Sequence, residues 1–266
     1  MLFVTYKIYS TALGREADTQ VIIPTAEPKK RVFEASEYQR YPKEPMKVLY
    51  LLHGGFGCSE DWLTMSPVAS MIRGSNLMIV MPFAENSYYQ DMPYGSAYWT
   101  FVSEELPVLI RQMFPHASTR REDTFAAGLS MGGYGAFRLG LAKPENFAAV
   151  ASLSGVLDLK ARIAASKGEL KSRGLQFTDN FFNEDEIGDA DLLLMMEKVK
   201  DRREELPRFF FTVGTEDFVY GFNQTAKKKM EACGIAFHYE EHKGAHEWDF
   251  WNKYIENALR WMKAID

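Results

Sequence analysis

Apolar and polar residues alternate along the first part of the chain. In residues 2–10, apolar positions such as Tyr6 alternate with polar positions such as Lys7, with a period of two residues. The same alternation returns at 17–24, after the short polar stretch at 14–16. A period of two is typical of strands with one buried face, so we predict that the chain opens with an antiparallel hairpin.

The pattern changes after a segment rich in Pro, Lys and Glu at 25–45, which we interpret as a surface loop. Short apolar runs follow, several of them continuous, as in strands that are buried on both faces of a mostly parallel sheet. They are MKVLYLLH, NLMIVMPF, DTFAAG, FAAVASLSG, RFFFTVG and IAFHYEEH. Helices are predicted between them, at 96–114, 131–143, 185–204, 221–233 and 248–264.

Strands that alternate with helices predict a doubly wound α/β sheet. We find no internal repeat and no linker that would divide the chain, so residues 1–266 are interpreted as a single domain. The stretch 158–185 is polar and irregular in sequence. It is predicted to be an insertion that caps a pocket.

Charge and composition narrow the class of partner. The chain has 31 basic and 36 acidic side chains and a net charge of −5, so we expect neither a nucleic acid nor a membrane as a partner. The start MLFVTYKIYS lacks the form of a signal peptide, and no apolar run approaches the ~20 residues that cross a bilayer. Two cysteines without a CxxC motif, Cys58 and Cys233, favour a reduced, cytoplasmic protein without structural zinc.

One serine lies among glycines where an apolar strand gives way to a helix. Gly128-Leu129-Ser130-Met131-Gly132 is a G-x-S-x-G sequence, preceded by DTFAAG and followed by a helical segment that ends at Pro144. The pattern alone is weak, but a place between a strand and a helix is what a nucleophile elbow requires. Glycines suit such a sharp turn because the neighbouring backbones come close together. We therefore predict that Ser130 is a nucleophile and does not simply belong to a loose turn.

A nucleophilic serine needs a base, and in this fold the order along the chain is serine, acid, histidine. Of the five histidines, His53 and His116 precede the serine, and His238 lies inside a strand as a packed or edge residue. His246 lies in a glycine-containing loop before the last helix. It is predicted to be the base, in preference to His242 at the end of the last strand.

The acid that orients the base is expected just after an earlier strand. Glu216 and Asp217 follow RFFFTVG in this way. Asp217 is predicted to be the acid because its shorter side chain suits the reach to an imidazole. Glu216 is the second candidate and Asp158 the third, and the structural alternative for each is a surface or helix-capping acid.

Acyl chemistry also needs N–H donors for an oxyanion. The first is expected from Met131, directly after the nucleophile, and the second from the loop of LYLLHGGFG. In that loop Gly55 is the first choice and Phe56 the alternative. The bulky side chains of Phe56, Tyr134 and Trp248 are predicted to narrow an acyl pocket and so bind substrate, the alternative for each being an ordinary place in the core.

These motifs resemble the esterase D family of α/β hydrolases, in particular bacterial short-chain carboxylesterases of the tributyrin esterase type. The resemblance runs from YSTALGREADTQVIIP through LLHGGFG, YWTFVSEELP and GLSMGGYGAFRLGLAKPENFAAVASLSG to GTEDF and GAHEW. It implies an α/β-hydrolase fold and hydrolysis of small acyl esters without a metal or cofactor. It also implies a triad at Ser130, Asp217 and His246, with oxyanion amides at Gly55 and Met131.

Two departures separate the chain from the S-formylglutathione hydrolases of that family. Tyr134 stands where those proteins typically have a histidine, and residues 53–57 read HGGFG where those tend to read H/S-G-L-T-C. The sequence thus favours a carboxylesterase for short acyl esters of small molecules, acetylated or feruloylated sugars among them. The alternatives are a glutathione thioesterase, an acyltransferase and a non-catalytic binding module on a hydrolase scaffold. A homo-oligomer is compatible with all of them.

Overall fold

The computed structural model describes residues 1–25, 44–92, 95–172 and 187–265, with the side chains of 166–172 left out of the description. Most of the predicted surface loop, residues 26–43, lies outside these ranges. So do residues 173–185 of the predicted insertion.

Within the described ranges, one eight-stranded sheet organises the chain, in the spatial order β1-β2-β4-β3-β5-β6-β7-β8. The strands are β1 (Leu2–Ser10), β2 (Arg15–Ile23), β3 (Lys47–Leu52), β4 (Leu77–Pro82), β5 (Thr124–Leu129), β6 (Ala149–Leu153), β7 (Arg208–Gly214) and β8 (Phe237–His242). The hairpin β1–β2 is antiparallel, as is the pair β2–β4, and the remaining neighbours are parallel. The predicted sheet and its N-terminal hairpin are confirmed.

The order of the strands reverses at β3, which lies between β4 and β5. In a doubly wound sheet the connections on the two sides of such a point diverge, and a crevice opens at the carboxyl ends of the strands. The G-x-S-x-G sequence follows β5, and the HGGFG sequence follows β3. The topology therefore brings both motifs to one crevice.

Helices cover both faces of the sheet. They are α1 (Asp61–Thr64), α2 (Val68–Met71), α3 (Tyr98–Thr100), α4 (Leu106–Met113), α5 (Met131–Ala142), α6 (Leu159–Ser172), α7 (Leu192–Val199), α8 (Tyr220–Cys233) and α9 (Trp248–Trp261). A π-helical turn, Phe101–Glu105, joins α3 to α4. None of the described helices combines the length and the apolar character that a bilayer crossing needs.

Alternate residues of the central strands supply two cores. In β5, Ala126 contributes to the core beneath α4, α5, α7 and α8, whereas Phe125 and Ala127 contribute to the core beneath α9. Every residue of β5 is buried. The continuous apolar runs of the sequence are thus explained by strands that are covered on both faces.

Two helix predictions need correction. Residues 159–172 of the supposedly irregular insertion form α6, because Asp158 accepts a hydrogen bond from the Ala161 N–H (3.0 Å) and Leu159 and Ile163 bury one helix face. The helix predicted at 185–204 begins only at Leu192. There the carboxylate of Asp191 accepts hydrogen bonds from two N–H groups of the first turn and fixes the start of α7.

Candidate active site

Ser130 lies between β5 and α5 in a backbone conformation that only glycine adopts easily, with φ 53° and ψ −116°. Neighbouring segments hold it there. Its N–H donates to the Leu153 carbonyl (2.9 Å), and its own carbonyl accepts from the Val156 N–H (3.2 Å). The strain is therefore fixed by β6 and the segment after it, as is common for residues at functional sites.

The glycines around Ser130 are required by close backbone contacts. A Cβ at Gly128 would lie 2.4 Å from the backbone of Gly132, and a Cβ at Gly132 would lie 2.4 Å from the Leu52 carbonyl oxygen. Both distances are far inside van der Waals contact. The G-x-S-x-G sequence thus lets the turn pack directly on the end of β3.

A chain of hydrogen bonds leads away from the serine. The Ser130 hydroxyl lies 2.9 Å from His246 Nε2, and His246 Nδ1 lies 2.9 and 3.0 Å from the two carboxylate oxygens of Asp217. Asp217 is buried at the end of β7 and also accepts a hydrogen bond from the Val219 N–H (3.0 Å). The structure thus brings together the three side chains that were predicted to form a triad.

Aromatic rings flank the imidazole of His246. Phe218 packs against it at a centroid distance of 4.5 Å, and Trp251 meets it edge-on at 5.0 Å. Neither residue was predicted from the sequence to belong to the site. The signal for Trp251 was its position three residues after Trp248 on one helix, which places the two indoles on the same face.

The alternative acids lie elsewhere. Glu216 is exposed, and its backbone N–H donates to the Gly244 carbonyl (3.0 Å), whereas Asp158 caps α6. Among the described residues, neither carboxylate has a hydrogen bond to His246. Glu216 is a surface acid, and Asp158 is a helix-capping acid.

The alternative histidines are also engaged away from Ser130. His242 stacks on Tyr254 at 4.1 Å and lies 3.2 Å from a Glu240 carboxylate oxygen. His238 lies on β8, at the edge of the sheet, and stacks on Phe210 at 5.3 Å.

Two backbone N–H groups near Ser130 are candidates for oxyanion donors. Among the described residues, the N–H groups of Gly55 and Met131 donate to no other group. The Phe56 N–H, by contrast, donates to the side-chain oxygen of Asn86. The geometry therefore favours Gly55 over Phe56 as the second donor to an oxyanion.

A pocket of about 440 Å³ opens in front of the serine. Its lining consists of Gly54, Gly55, Phe56, Gly57, Asp61, Leu129, Ser130, His246, Glu247, Trp248 and Trp251. The predicted substrate-binding residues Phe56 and Trp248 belong to it.

Tyr134 is the exception among the predicted substrate-binding residues, because it does not line this pocket. It is fully buried on α5, and its hydroxyl donates to the Ala190 carbonyl (2.6 Å). Burial raises the pKa of its phenol. The structure therefore places Tyr134 in the core, which was the alternative stated for it.

Two acidic residues belong to the pocket lining, Asp61 and Glu247. Neither forms an ion pair with a basic side chain in the part of the chain that the structure describes. Asp61 accepts the Cys58 thiol at 3.2 Å. Burial and this carboxylate raise the pKa of the Cys58 thiol, which therefore stays protonated at neutral pH.

Most of the chain matches the sequence model of a known protein family. The family model named Esterase matches residues 25–262. The chain belongs to this esterase family. Among curated proteins, the acetyl esterase of Caldicellulosiruptor saccharolyticus is 32% identical to this esterase over 273 residues, which cover 100% of this chain and 99% of that protein.

Solved structures with the same fold accompany this match. FphF, a fluorophosphonate-binding serine hydrolase of Staphylococcus aureus, superimposes on the esterase with a TM-score of 0.83 at 24% identity, covering 100% of this chain and 99% of that one. The S-formylglutathione hydrolase FrmB from Staphylococcus aureus gives a TM-score of 0.80 at 24% identity, covering 98% of each chain. The predicted α/β-hydrolase fold is confirmed.

Proposed function

We propose that this esterase hydrolyses short-chain carboxylic esters through an acyl-enzyme formed on Ser130. The observation that carries the proposal is the continuous hydrogen-bond chain from Asp217 through His246 to Ser130, of which the last two residues line a pocket. Within the esterase family, the motifs described above favour a short-chain carboxylesterase of the esterase D type.

The first half of the reaction forms the acyl-enzyme. Ser130 Oγ attacks the ester carbonyl carbon while His246 Nε2 takes the hydroxyl proton. The carbonyl oxygen becomes an oxyanion and accepts hydrogen bonds from the N–H groups of Gly55 and Met131. The tetrahedral adduct then breaks its bond to the alkoxy oxygen, and His246 returns the proton to the leaving alcohol.

Water completes the second half in the same geometry. His246 takes a proton from water as the water oxygen attacks the acyl carbon, and the proton then passes to Ser130 as the carboxylic acid leaves. Asp217 keeps the imidazole oriented and stabilises its positive charge. Met131 is the first residue of α5, so the positive end of the helix dipole also favours the oxyanion.

Two features support a small substrate without a negative charge. The relative named acetyl esterase supports a short acyl group. The carboxylates of Asp61 and Glu247 repel an anionic leaving group, which disfavours glutathione thioesters and favours neutral alcohols such as sugars. We therefore infer that the alcohol part of the substrate is neutral or cationic.

A substrate panel tests the proposal. Wild type and Ser130→Ala would be compared on p-nitrophenyl acetate, acetylated sugars, a feruloyl ester and S-formylglutathione, with kcat/KM as the readout. We expect oxoesters to be preferred by wild type and the variant to be inactive. Preference for S-formylglutathione would replace the oxoester assignment, and an active Ser130→Ala variant would remove the acyl-enzyme.

A further inference from the structure

The loop that follows β4 holds an unusual backbone. Three of its residues, Glu85, Tyr88 and Tyr89, have φ values of 47°, 50° and 52°. Residues other than glycine rarely adopt this left-handed conformation, and it persists where surrounding contacts enforce it. The contacts of this loop therefore indicate what it is built to hold.

On one side, the loop after β4 contacts the HGGFG loop after β3. The Ala84 N–H donates to His53 Nε2 (2.9 Å), and the Tyr89 hydroxyl donates to the His53 carbonyl (2.9 Å). Between them, the side-chain oxygen of Asn86 accepts the Phe56 N–H. One short segment thus fixes both ends of residues 53–56.

On its other side, the same loop is tied to the helix that begins at the nucleophile. Arg138 of α5 donates to the Tyr89 carbonyl (2.8 Å), and its guanidinium lies 3.9 Å from the centroid of the Trp99 ring. The loop after β4 therefore connects the two segments that supply the N–H groups next to Ser130.

Asn86 makes the contact nearest to these N–H groups. Phe56 itself has φ 63°, so the peptide that joins it to Gly55 depends on an external hydrogen bond to keep its orientation. We propose that Asn86 is a positioning residue for the oxyanion site: by holding the Phe56 N–H, it orients the Gly55 N–H towards the carbonyl oxygen of the substrate. The inference rests on the proposed serine-esterase function.

Asn86→Ala tests this inference through the split between kcat and KM. A shift of about 1 Å in a catalytic group costs roughly 10²-fold in rate, so we expect kcat to fall by about 10- to 100-fold. KM should change less than about threefold, because the aromatic lining that binds the ground state is intact. A boronic acid that forms a tetrahedral adduct with Ser130 should lose affinity by the same factor as kcat/KM.

Asn76→Ala is the matched control. The Asn76 side chain also bonds a loop backbone, donating to the Pro45 carbonyl (2.8 Å), but at the opposite end of β4. Active sites are counted by titration with a fluorophosphonate, and kcat is calculated per reactive site. Partial unfolding of a variant therefore does not lower its kcat. Asn86→Ser is the second variant if Asn86→Ala does not fold, and the same split is expected.

The outcomes separate this inference from the proposed function. A folded Asn86 variant with wild-type kcat, or one that raises only KM, would overturn the positioning role. If Asn76→Ala lost as much kcat as Asn86→Ala, the effect would not be specific to the oxyanion site, and the positioning role of Asn86 would be rejected. If Ser130→Ala itself remained active, the proposed function would fail instead.

Discussion

His246 Nε2 and Ser130 Oγ lie 2.9 Å apart, although the two residues are separated by 116 positions in the chain. Ser130 follows β5, and His246 follows β8, so the distance depends on the order in which parallel strands are laid down across the sheet. Asp217, three residues after β7, is hydrogen-bonded to the other imidazole nitrogen, Nδ1, at 2.9 Å. The carboxyl ends of three strands thus meet at one hydrogen-bonded chain.

The nucleophile is predicted to be strained as well as essential. Ser130→Ala should abolish esterase activity with little change in stability, because alanine keeps the same unfavourable φ. Ser130→Gly should be equally inactive but more stable than Ser130→Ala by about 1 kcal/mol, because glycine adopts this conformation freely. Turnover of p-nitrophenyl acetate and urea unfolding measure the two effects. Wild-type turnover by either variant would exclude Ser130 as the nucleophile.

The role of the acid is tested by neighbouring carboxylates. Asp217→Asn should lower kcat by about 10³- to 10⁴-fold, because the amide cannot hold the imidazole in the tautomer that accepts the serine proton. Glu216→Gln is the matched control, since that side chain is exposed and is expected to change kcat by less than about threefold. The reverse ranking in steady-state kinetics would transfer the role to Glu216.

Much of the fold followed from the sequence because buried parallel strands leave continuous apolar runs. The strand RFFFTVG was predicted with the bounds that β7 has in the structure, and the predicted elbow begins α5 at Met131. Where polar positions masked the pattern, as in α6, prediction failed. There the cap at Asp158 and the burial of Leu159 and Ile163 start the helix, and the sequence of α6 shows no regular apolar stripe.

The candidate site was predictable only where chemistry restricts both residue type and chain order. Ser130, Asp217 and His246 meet that condition, and in the structure His246 lies within hydrogen-bond distance of both Ser130 and Asp217. Asn86 does not, because a single side-chain oxygen that accepts a backbone N–H leaves no sequence pattern. Tyr134 was assigned to the pocket by its proximity in sequence, but helix geometry directs its side chain into the core.

The environment of His53 predicts how the stability of the fold depends on pH. It is buried, its Nδ1–H donates to the Gly54 carbonyl (2.7 Å), and its Nε2 accepts the Ala84 N–H. Burial lowers the pKa of its imidazole, so the folded state takes up this proton less readily than the unfolded state, whose histidine titrates near pH 6.5. The contribution of neutral His53 to the free energy of unfolding is therefore fully present above that pH. It is lost as the pH falls below that value, by at most about 1.4 kcal/mol per pH unit.

Urea unfolding between pH 5 and 7.5 measures this effect. His53→Gln should be less stable than wild type at pH 7.5, because it removes the neutral ring nitrogen that accepts the Ala84 N–H. It should lose less stability than wild type on acidification, because glutamine does not take up a proton. His116→Gln provides a variant with one fewer histidine outside the candidate site. An identical pH dependence for wild type and His53→Gln would exclude His53 as the source.

The acidic residues of the pocket lining, Asp61 and Glu247, lead us to expect that a cationic leaving group is preferred to an anionic one. For one acetyl group on different thiols, kcat/KM should fall from cationic thiocholine through neutral mercaptoethanol to anionic glutathione. Asp61→Asn and Glu247→Gln should each reduce this range by about two- to fivefold, and added salt should do the same in wild type. Asp249→Asn removes a nearby charge that does not line the pocket and should leave the range unchanged. If both pocket variants kept the wild-type difference in kcat/KM between the cationic and the anionic thioester, these carboxylates would not be its cause.

Trp248 is expected to limit the length of the acyl chain. Its indole packs edge-on against Trp62 at 5.2 Å and Trp251 at 5.3 Å, so the pocket wall is supported from behind. Each methylene adds about 0.8 kcal/mol of binding only while a dry surface receives it. For p-nitrophenyl esters we therefore expect kcat/KM to rise from acetyl to about butyryl and to fall beyond roughly six to eight carbons.

Trp248→Ala should move this optimum towards longer chains, because removing the indole opens space beside the triad. Trp261→Ala is the matched control: Trp261 lies at the far end of α9, where it packs on Phe210 at 5.6 Å, and it does not line the pocket. That variant is expected to lose stability and keep the wild-type optimum. If wild type preferred esters of twelve carbons or more, the aromatic wall would not bound the acyl site, and a lipid substrate would replace the short-chain ester.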